Sequence, residues 1–111
     1  MNDRLLSILG LCRRAGKIVL GTDPVTESIV TNKAFAVIMA KDFSRNSQKG
    51  ILKASHMCNV KTYVINRTKD ELGTALGKYC AVAAITDRGF SDKIQELILK
   101  EQEQEEQHYD D

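Results

Sequence analysis

The segment 10–17 comes close to the spacing of a phosphate-binding loop, in which two glycines precede a lysine and a hydroxyl residue. Five residues separate Gly10 from Gly16 where the loop needs four, and Ile18 follows Lys17 where the loop needs Ser or Thr. The segment also joins a predicted helix to a predicted strand, the reverse of the required strand–loop–helix order. We therefore exclude a nucleotide-binding loop here.

The histidines and cysteines do not form a convincing metal-binding or catalytic pattern. His56 and Cys58 are two residues apart, but no second ligand pair follows at a usable spacing, and His108 lies near the C-terminus. Cys12 and Cys80 have no histidine close in sequence that would activate a thiol. The sequence therefore predicts no metal site, no cofactor, no catalytic residue and no enzyme.

The composition predicts one compact domain outside the membrane. The chain has 111 residues with 42% hydrophobic content, enough for a single core, and it contains no apolar run long enough to span a bilayer. The N-terminal segment lacks a signal-peptide cleavage pattern. An odd count of 3 cysteines without a C-x-x-C pair argues against a disulfide framework, so we expect a cytoplasmic protein.

Charge is distributed unevenly along the chain. All 16 basic residues but only nine of the 15 acids lie in residues 1–100, so this part carries +7 and residues 101–111 carry −6. A basic body suggests a polyanionic partner. The acidic tail, 101–111, either keeps the protein soluble or shields the basic body until another polyanion binds.

Hydrophobic periodicity predicts five helices alternating with four strands. Asn2 is expected to cap the first helix, and Asp23 the second, with Pro24 at its first position. Residues 34–40 form a continuous apolar run, typical of a strand buried on both faces. Thr68 and Glu71 form a capping box, and Ile51, Leu52 and Met57 are expected to pack inward from the third helix. Phe90, Ile94, Leu97 and Ile98 form the apolar stripe of the last helix, which is expected to fade into the tail. We predict a three-layer α/β/α sandwich with a mixed sheet of about four strands, occupying residues 1–100.

Glycine-rich turns mark the candidate binding surface. Gly21 precedes a helix start, where backbone N–H groups are unpaired, and a second glycine-rich turn spans residues 73–79. If the strands are parallel, these turns meet at one sheet edge, which Lys41 and Arg45 could join. Lysines would neutralise phosphates, while backbone amides and an aromatic side chain would contact unpaired bases.

The chain resembles the kink-turn-binding ribosomal-protein superfamily, particularly its small bacterial YlxQ-like branch. The resemblance covers most of residues 4–99 and rests on four segments in the family's order, which are LGLCRRAGKIVLGTDPV (9–25), AFAVIMAKDFS (34–44), VKTYVINRTKDELGTALGK (60–78) and AVAAITDRGF (81–90). It implies an α/β/α fold and binding of kinked RNA at sheared G·A pairs. It also implies a ribosomal or ribosome-associated role, with ribosomal or translation proteins as further partners.

The RNA-binding residues are expected to be Lys17, Gly21, Thr22, Asp23, Lys41, Lys78 and Tyr79. The family commonly has Asn or Glu at position 23, Glu at position 24 and Lys at position 27, where this chain has Asp, Pro and Glu. A glutamate at 27 repels phosphate where a lysine would attract it. Two hypotheses therefore remain, which are a non-catalytic RNA-binding protein and a protein-interaction module in which the RNA-binding surface has been altered.

Overall fold

The computed structural model describes residues 3–109, with side chains described as far as Gln104. Helices and strands alternate in the predicted order. The helices are α1 (Arg4–Arg14), α2 (Thr22–Val30), α3 (Arg45–Met57), α4 (Lys69–Leu76) and α5 (Arg88–Tyr109), and the strands are β1 (Ile18–Leu20), β2 (Ala36–Ala40), β3 (Lys61–Ile65) and β4 (Val82–Ile85). No helix in residues 3–109 is both long and apolar enough to cross a bilayer.

The four strands form one mixed sheet in the order β1-β4-β2-β3. β2 and β3 are parallel, while β4 runs antiparallel to both β1 and β2. The chain therefore leaves β1, β2 and β3 at the edge where it enters β4. We call this the near edge, formed by residues 21–23, 41–45, 66–68 and 78–81. The opposite edge, formed by residues 17, 33–35, 60–61 and 86–88, is the far edge.

Helices cover both faces of the sheet, which confirms the predicted three-layer sandwich. One core joins α1, α4 and α5 to the sheet through residues such as Leu9, Leu72 and Ile94. The second core joins α2 and α3 to the other face and includes Val25 and Ile51. Every residue of β2 is buried, because the apolar side chains of this central strand alternate between the two cores.

Helix α1 begins one residue later than predicted. Asp3 is its N-cap, and its Oδ1 accepts a hydrogen bond from Leu6 N at 3.1 Å. The prediction that Asn2 caps this helix is wrong, and Asn2 itself lies outside the described residues. The C-terminal prediction is confirmed, since Gly16 follows the cap residue with φ of 71°.

Helix α2 begins at Thr22, so the prediction that Asp23 is its cap and Pro24 its first residue is wrong. The N-cap is Gly21, which contributes no side-chain hydrogen bond. Val25 N donates to Gly21 O at 3.0 Å, which makes this the first bond of the helix. Pro24 thus occupies the third helical position, where its missing N–H costs little because the first four donors lack partners within the helix.

Side chains cap both α3 and α4, and the predicted capping box of α4 is confirmed. Ser44 accepts from Ser47 N, and Thr68 and Glu71 form the reciprocal capping box. Part of the predicted packing of α3 is wrong, because Leu52 is exposed and Met57 is 74% exposed. Ile51 alone of the three predicted residues is fully buried.

Helix α5 continues to Tyr109, into the segment 101–111 that the sequence assigned to the acidic tail. Its cap is Asp87, whose Oδ2 accepts from Phe90 N at 2.9 Å. Near the other end, Glu101 Oε2 lies 2.6 Å from Arg67 Nη2, and Arg67 Nε lies 2.8 Å from Asp3 Oδ2. Arg67 therefore joins the end of β3 to the start of α1 and to α5.

Candidate nucleic-acid interface

Backbone hydrogen bonds hold the turns of the near edge together. Gly21 N donates to Val82 O at 3.0 Å, which fixes the turn after β1 against the start of β4. Ala40 N donates to Ala81 O at 2.8 Å, and Lys41 N donates to Arg67 O at 2.9 Å. The convergence predicted for these turns is thus present, although β4 is antiparallel to its neighbours.

The turn at Gly21 exposes the start of α2. Gly21 has φ of 96° and ψ of 158°, a backbone conformation that residues other than glycine rarely adopt. Since Gly21 has no side chain to cap the helix, the N–H groups of Thr22 and Asp23 are left for a ligand, and both residues are exposed. Thr22 O accepts from Thr26 Oγ1 at 2.8 Å, which orients the backbone of this first turn.

The loop before β4 presents an exposed aromatic ring. Tyr79 is 67% exposed. Gly73 O accepts from Gly77 N at 2.8 Å and from Lys78 N at 3.2 Å, so α4 fixes the start of this loop. A Cβ at Gly73 would lie 3.3 Å from Tyr79 Cα, so the close approach of loop and helix favours glycine at this position. The predicted Lys78 and Tyr79 therefore stand on a positioned loop.

Arg13 is a basic residue near this loop that sequence reasoning missed. Burial raises the pKa of the Cys80 thiol, and the positive charges of Arg13 and Lys78 oppose that rise. Both cations therefore lie in the neighbourhood of the Cys80 thiol, in the loop before β4. Arg13 was assigned only to the end of α1, because nothing in its sequence position indicates that its side chain extends toward residue 80.

The loop after β2 and the start of α3 contribute two more cations to the near edge. Lys41 is exposed, and its Nζ lies 3.3 Å from Asn66 Oδ1. Arg45 is the first residue of α3 and is also exposed. Asp42 accepts a hydrogen bond from Lys69 N at 2.8 Å, which occupies one of its carboxylate oxygens. Its negative charge remains at the near edge, as does that of Asp23.

Lys17 lies at the far edge, apart from the other six residues with which the sequence grouped it. Lys17 O accepts from Thr86 N at 2.9 Å, where β4 ends. The whole of β1 separates Lys17 from Gly21, a distance of about 13 Å at the usual rise per strand residue. The six other predicted residues, Gly21, Thr22, Asp23, Lys41, Lys78 and Tyr79, are all at the near edge.

The cysteines have structural positions. Burial and the charge of Asp87 raise the pKa of Cys12 to about 11, and its Sγ lies 3.3 Å from Lys17 O. Such a thiol is a poor nucleophile at neutral pH. No group of three or more His, Cys, Asp or Glu residues is arranged to hold a metal within the described part of the chain.

These observations define the class of protein, which is a small α/β/α sandwich with converging turns at one sheet edge. The chain belongs to the ribosomal protein L7Ae/L30e/S12e/Gadd45 family, whose sequence model matches residues 3–95. This confirms the family that the sequence resemblance indicated, including its bacterial YlxQ-like branch, as the relatives below show.

Bacterial and plant relatives match this chain over most of its length and most of their own. The chain is 34% identical over 94 residues to "RNA-binding protein YlxQ" of Bacillus subtilis (strain 168), covering 82% of this chain and 91% of that protein. It is 32% identical over 96 residues to the protein of the same name from Enterococcus faecium, covering 86% and 92%. It is also 32% identical over 98 residues to large ribosomal subunit protein eL30 of Euphorbia esula, covering 86% and 88%.

Solved structures share the fold. A protein of unknown function from Bacillus halodurans C superposes with a TM-score of 0.82 at 28% identity, covering 87% of this chain and 98% of that one. The Giardia lamblia 15.5kD RNA binding protein superposes with a TM-score of 0.67 at 21% identity, covering 90% and 89%. The second similarity is one of fold alone.

Proposed function

We propose that this protein is a non-catalytic RNA-binding protein that acts on the ribosome or during its assembly. Its near edge would bind structured RNA containing a kink turn. The observation that carries the proposal is the convergence of the Gly21 turn with the Lys78–Tyr79 loop, held by the hydrogen bond from Gly21 N to Val82 O. Membership of the family and the names of the YlxQ and eL30 relatives support it.

Each part of the near edge supplies a different contact. The free N–H groups at the start of α2 and the hydroxyl of Thr22 can donate to base edges or to a phosphate. The Asp23 carboxylate can accept hydrogen bonds from a guanine edge. Tyr79 offers a ring on which an unstacked base can stack.

The cations around these groups provide the electrostatic attraction. Lys41, Lys78 and Arg45 are exposed at the near edge, and Arg13 is exposed at the end of α1, in the neighbourhood of Lys78. Arg67 is different, because its side chain is only 12% exposed and both Asp3 and Glu101 neutralise it. We therefore assign phosphate neutralisation to Lys41, Lys78, Arg45 and Arg13, and a structural role to Arg67.

The test compares two charge variants of the full chain with a kink-turn RNA in an electrophoretic mobility shift assay. Lys41→Gln combined with Lys78→Gln should weaken binding by about ten-fold or more, because two phosphate contacts are lost. The control is Lys53→Gln combined with Lys93→Gln, on the exposed sides of α3 and α5, which removes the same charge away from the near edge. Equal losses of RNA affinity in both variants would show that binding reflects general charge attraction. The near edge would then be rejected as the site.

The alternative function is a protein-interaction module on the same fold. It is favoured by the apolar groove between α2 and α3, of about 200 Å³, lined by Val30, Met57 and Cys58 among others. Val30 and Met57 are well exposed at this groove. A wild-type chain that binds no structured RNA but retains a ribosomal protein in pull-down, and loses it in Met57→Lys, would favour this alternative.

A further inference from the structure

The far edge carries a concentration of positive charge that the proposed kink-turn site does not use. Four exposed cations lie there, one from each chain segment that reaches this edge, namely Lys17, Lys33, Lys61 and Arg88. Backbone pairing fixes their arrangement, since Ile85 pairs with both Ile18 and Ala36, and Ala36 pairs with Lys61. Adjacent strands are about 4.8 Å apart, so the row from Lys17 to Lys61 spans about 14 Å.

An exposed aromatic ring lies within this row. Phe35 is 44% exposed, and its backbone N–H donates to Ile85 O at 2.8 Å. The guanidinium carbon of Arg88 lies 5.9 Å from the centroid of the Phe35 ring, within cation–π range. The ring is therefore fixed at its backbone and held next to a cation while much of its surface faces solvent.

Few acids oppose these charges. Asp87 lies at the same edge, but its carboxylate caps α5 by accepting from Phe90 N at 2.9 Å. Asp92 is exposed on the first turns of α5. Within the described residues, none of the ion pairs involves Lys17, Lys33, Lys61 or Arg88. The far edge thus combines unneutralised cations with an aromatic ring, the two components by which proteins hold single-stranded nucleic acid.

We propose that the far edge is a second RNA-binding surface, which holds a single-stranded segment. The four cations would follow the phosphate backbone, and one base would stack on Phe35 beside Arg88. A protein with RNA sites at both edges of one sheet would bridge a folded RNA element and an unpaired strand. The proposal extends the proposed function but does not depend on kink-turn recognition, because it concerns separate residues and a different RNA class.

The test measures fluorescence anisotropy of a labelled twelve-nucleotide oligouridylate with the full chain at several salt concentrations. The far-edge variant combines Lys17→Gln, Lys33→Gln and Lys61→Gln. It should bind at least ten-fold more weakly, and the slope of log affinity against log salt should fall by about 2, for three lost single-strand phosphate contacts. The matched control combines Lys49→Gln, Lys53→Gln and Lys100→Gln and should stay within about three-fold of wild type, since surface changes distant from the site alter only general charge.

A second variant tests the stacking contact. Phe35→Leu keeps an apolar side chain but removes the ring, and it should weaken oligouridylate binding by roughly five-fold or more. Unchanged affinity in this variant would overturn the stacking assignment. A wild-type chain that fails to bind the oligonucleotide, or equal losses in the two charge variants, would overturn the far-edge site.

Two further measurements distinguish the far-edge site from the kink-turn site, and RNA from an acidic protein as its ligand. Kink-turn RNA binding by the far-edge variant should remain within about three-fold of wild type, so the failure of one site is not mistaken for failure of the other. A polyglutamate peptide should compete with the oligouridylate only weakly, because it offers no bases to stack on Phe35. Competition at equal charge concentration would indicate an acidic protein as the ligand and overturn the assignment to RNA.

Discussion

Gly21 donates its backbone N–H to the carbonyl of Val82 across 3.0 Å, which joins the turn after the first strand to the start of the fourth. The bond places the exposed start of α2 beside the loop that carries Lys78 and Tyr79. It depends on a backbone conformation at Gly21 that glycine adopts without strain. The placement of the α2 start within the proposed interface thus depends on this one residue.

Gly21→Ala should therefore destabilise the fold by about 1–3 kcal/mol, because a side chain at φ of 96° is strained. The measurement is urea-induced unfolding followed by circular dichroism. Gly50→Ala is the control, since Gly50 lies inside α3 with nothing within 4 Å of an added Cβ. It should stabilise by about 0.5–1 kcal/mol through helix propensity. Equal stability of Gly21→Ala and wild type would show that the turn tolerates a side chain.

Arg67 should contribute measurably to stability, because it makes charge-assisted hydrogen bonds to Asp3 and to Glu101 from a side chain that is only 12% exposed. Both carboxylates are partly solvated, so we expect Arg67→Met to cost about 1–3 kcal/mol in chemical unfolding. Lys100→Met is the comparison, because Lys100 reaches Glu96 only at the surface, at 3.5 Å. Its effect should be below about 0.5 kcal/mol.

Acid should weaken the fold through the same cluster. The hydrogen bond from Arg67 lowers the pKa of Asp3 below its ordinary value of 3.8. The folded state therefore binds this proton less readily than the unfolded state, so the stabilisation is present above pH 3.8 and is lost as the pH falls below it. Unfolding free energies measured between pH 7 and pH 2.5 should fall less steeply at the acid end in Asp3→Asn than in wild type. Parallel curves for the two proteins would contradict this role of Asp3.

Glu27→Lys should tighten RNA binding. Glu27 is exposed on α2, one turn beyond Asp23, and the substitution replaces a negative charge near the proposed RNA with a positive one. We expect about a three- to ten-fold gain in affinity at low salt, shrinking as salt is raised. Glu96→Lys makes the same charge change on the exposed surface of α5 and should give a smaller gain. Equal gains would show that residue 27 has no particular position relative to the RNA.

The three thiols should differ in reactivity. Burial raises the pKa of Cys12 to about 11 and raises that of Cys80, whereas Cys58 is partly exposed at the end of α3. Ellman's reagent at pH 8 should therefore modify one thiol quickly in the native protein and all three in denaturant. Cys58→Ser should remove the fast phase. A fast phase that survives this substitution would show that a buried cysteine becomes accessible.

The sequence predicted most of the fold because its signals are local. The apolar run that forms β2 and the capping box of Thr68 and Glu71 each specify a structure within a few residues. The start of α2 was misplaced because Asp and Pro are common at helix starts, whereas the cap is set by the backbone of Gly21 and its long-range bond to Val82. Leu52 and Met57 were misassigned because the buried face of α3 is the one that carries Ile51 and Ser55, and apolar residue type alone does not indicate which face that is.

The candidate site was predicted only in part because its geometry depends on tertiary structure. Lys17 is close to Gly21 in sequence, but an extended strand separates them and places them at opposite edges. Arg13 was missed because its proximity to the loop before β4 depends on how α1 lies over the sheet. The far-edge surface was not predicted for the same reason, because its residues come from four separate segments, namely Lys17, Phe35, Lys61 and Arg88.

The most direct test of the central claim is the affinity of the wild-type chain for two RNAs of equal length. One contains a kink turn, and in the other Watson–Crick pairs replace the sheared G·A pairs, so charge is the same and only the fold differs. We predict saturable binding to the kink turn at least ten-fold tighter than to the straight duplex, at moderate salt. Equal affinity for the two RNAs would contradict recognition of a kinked structure by the near edge.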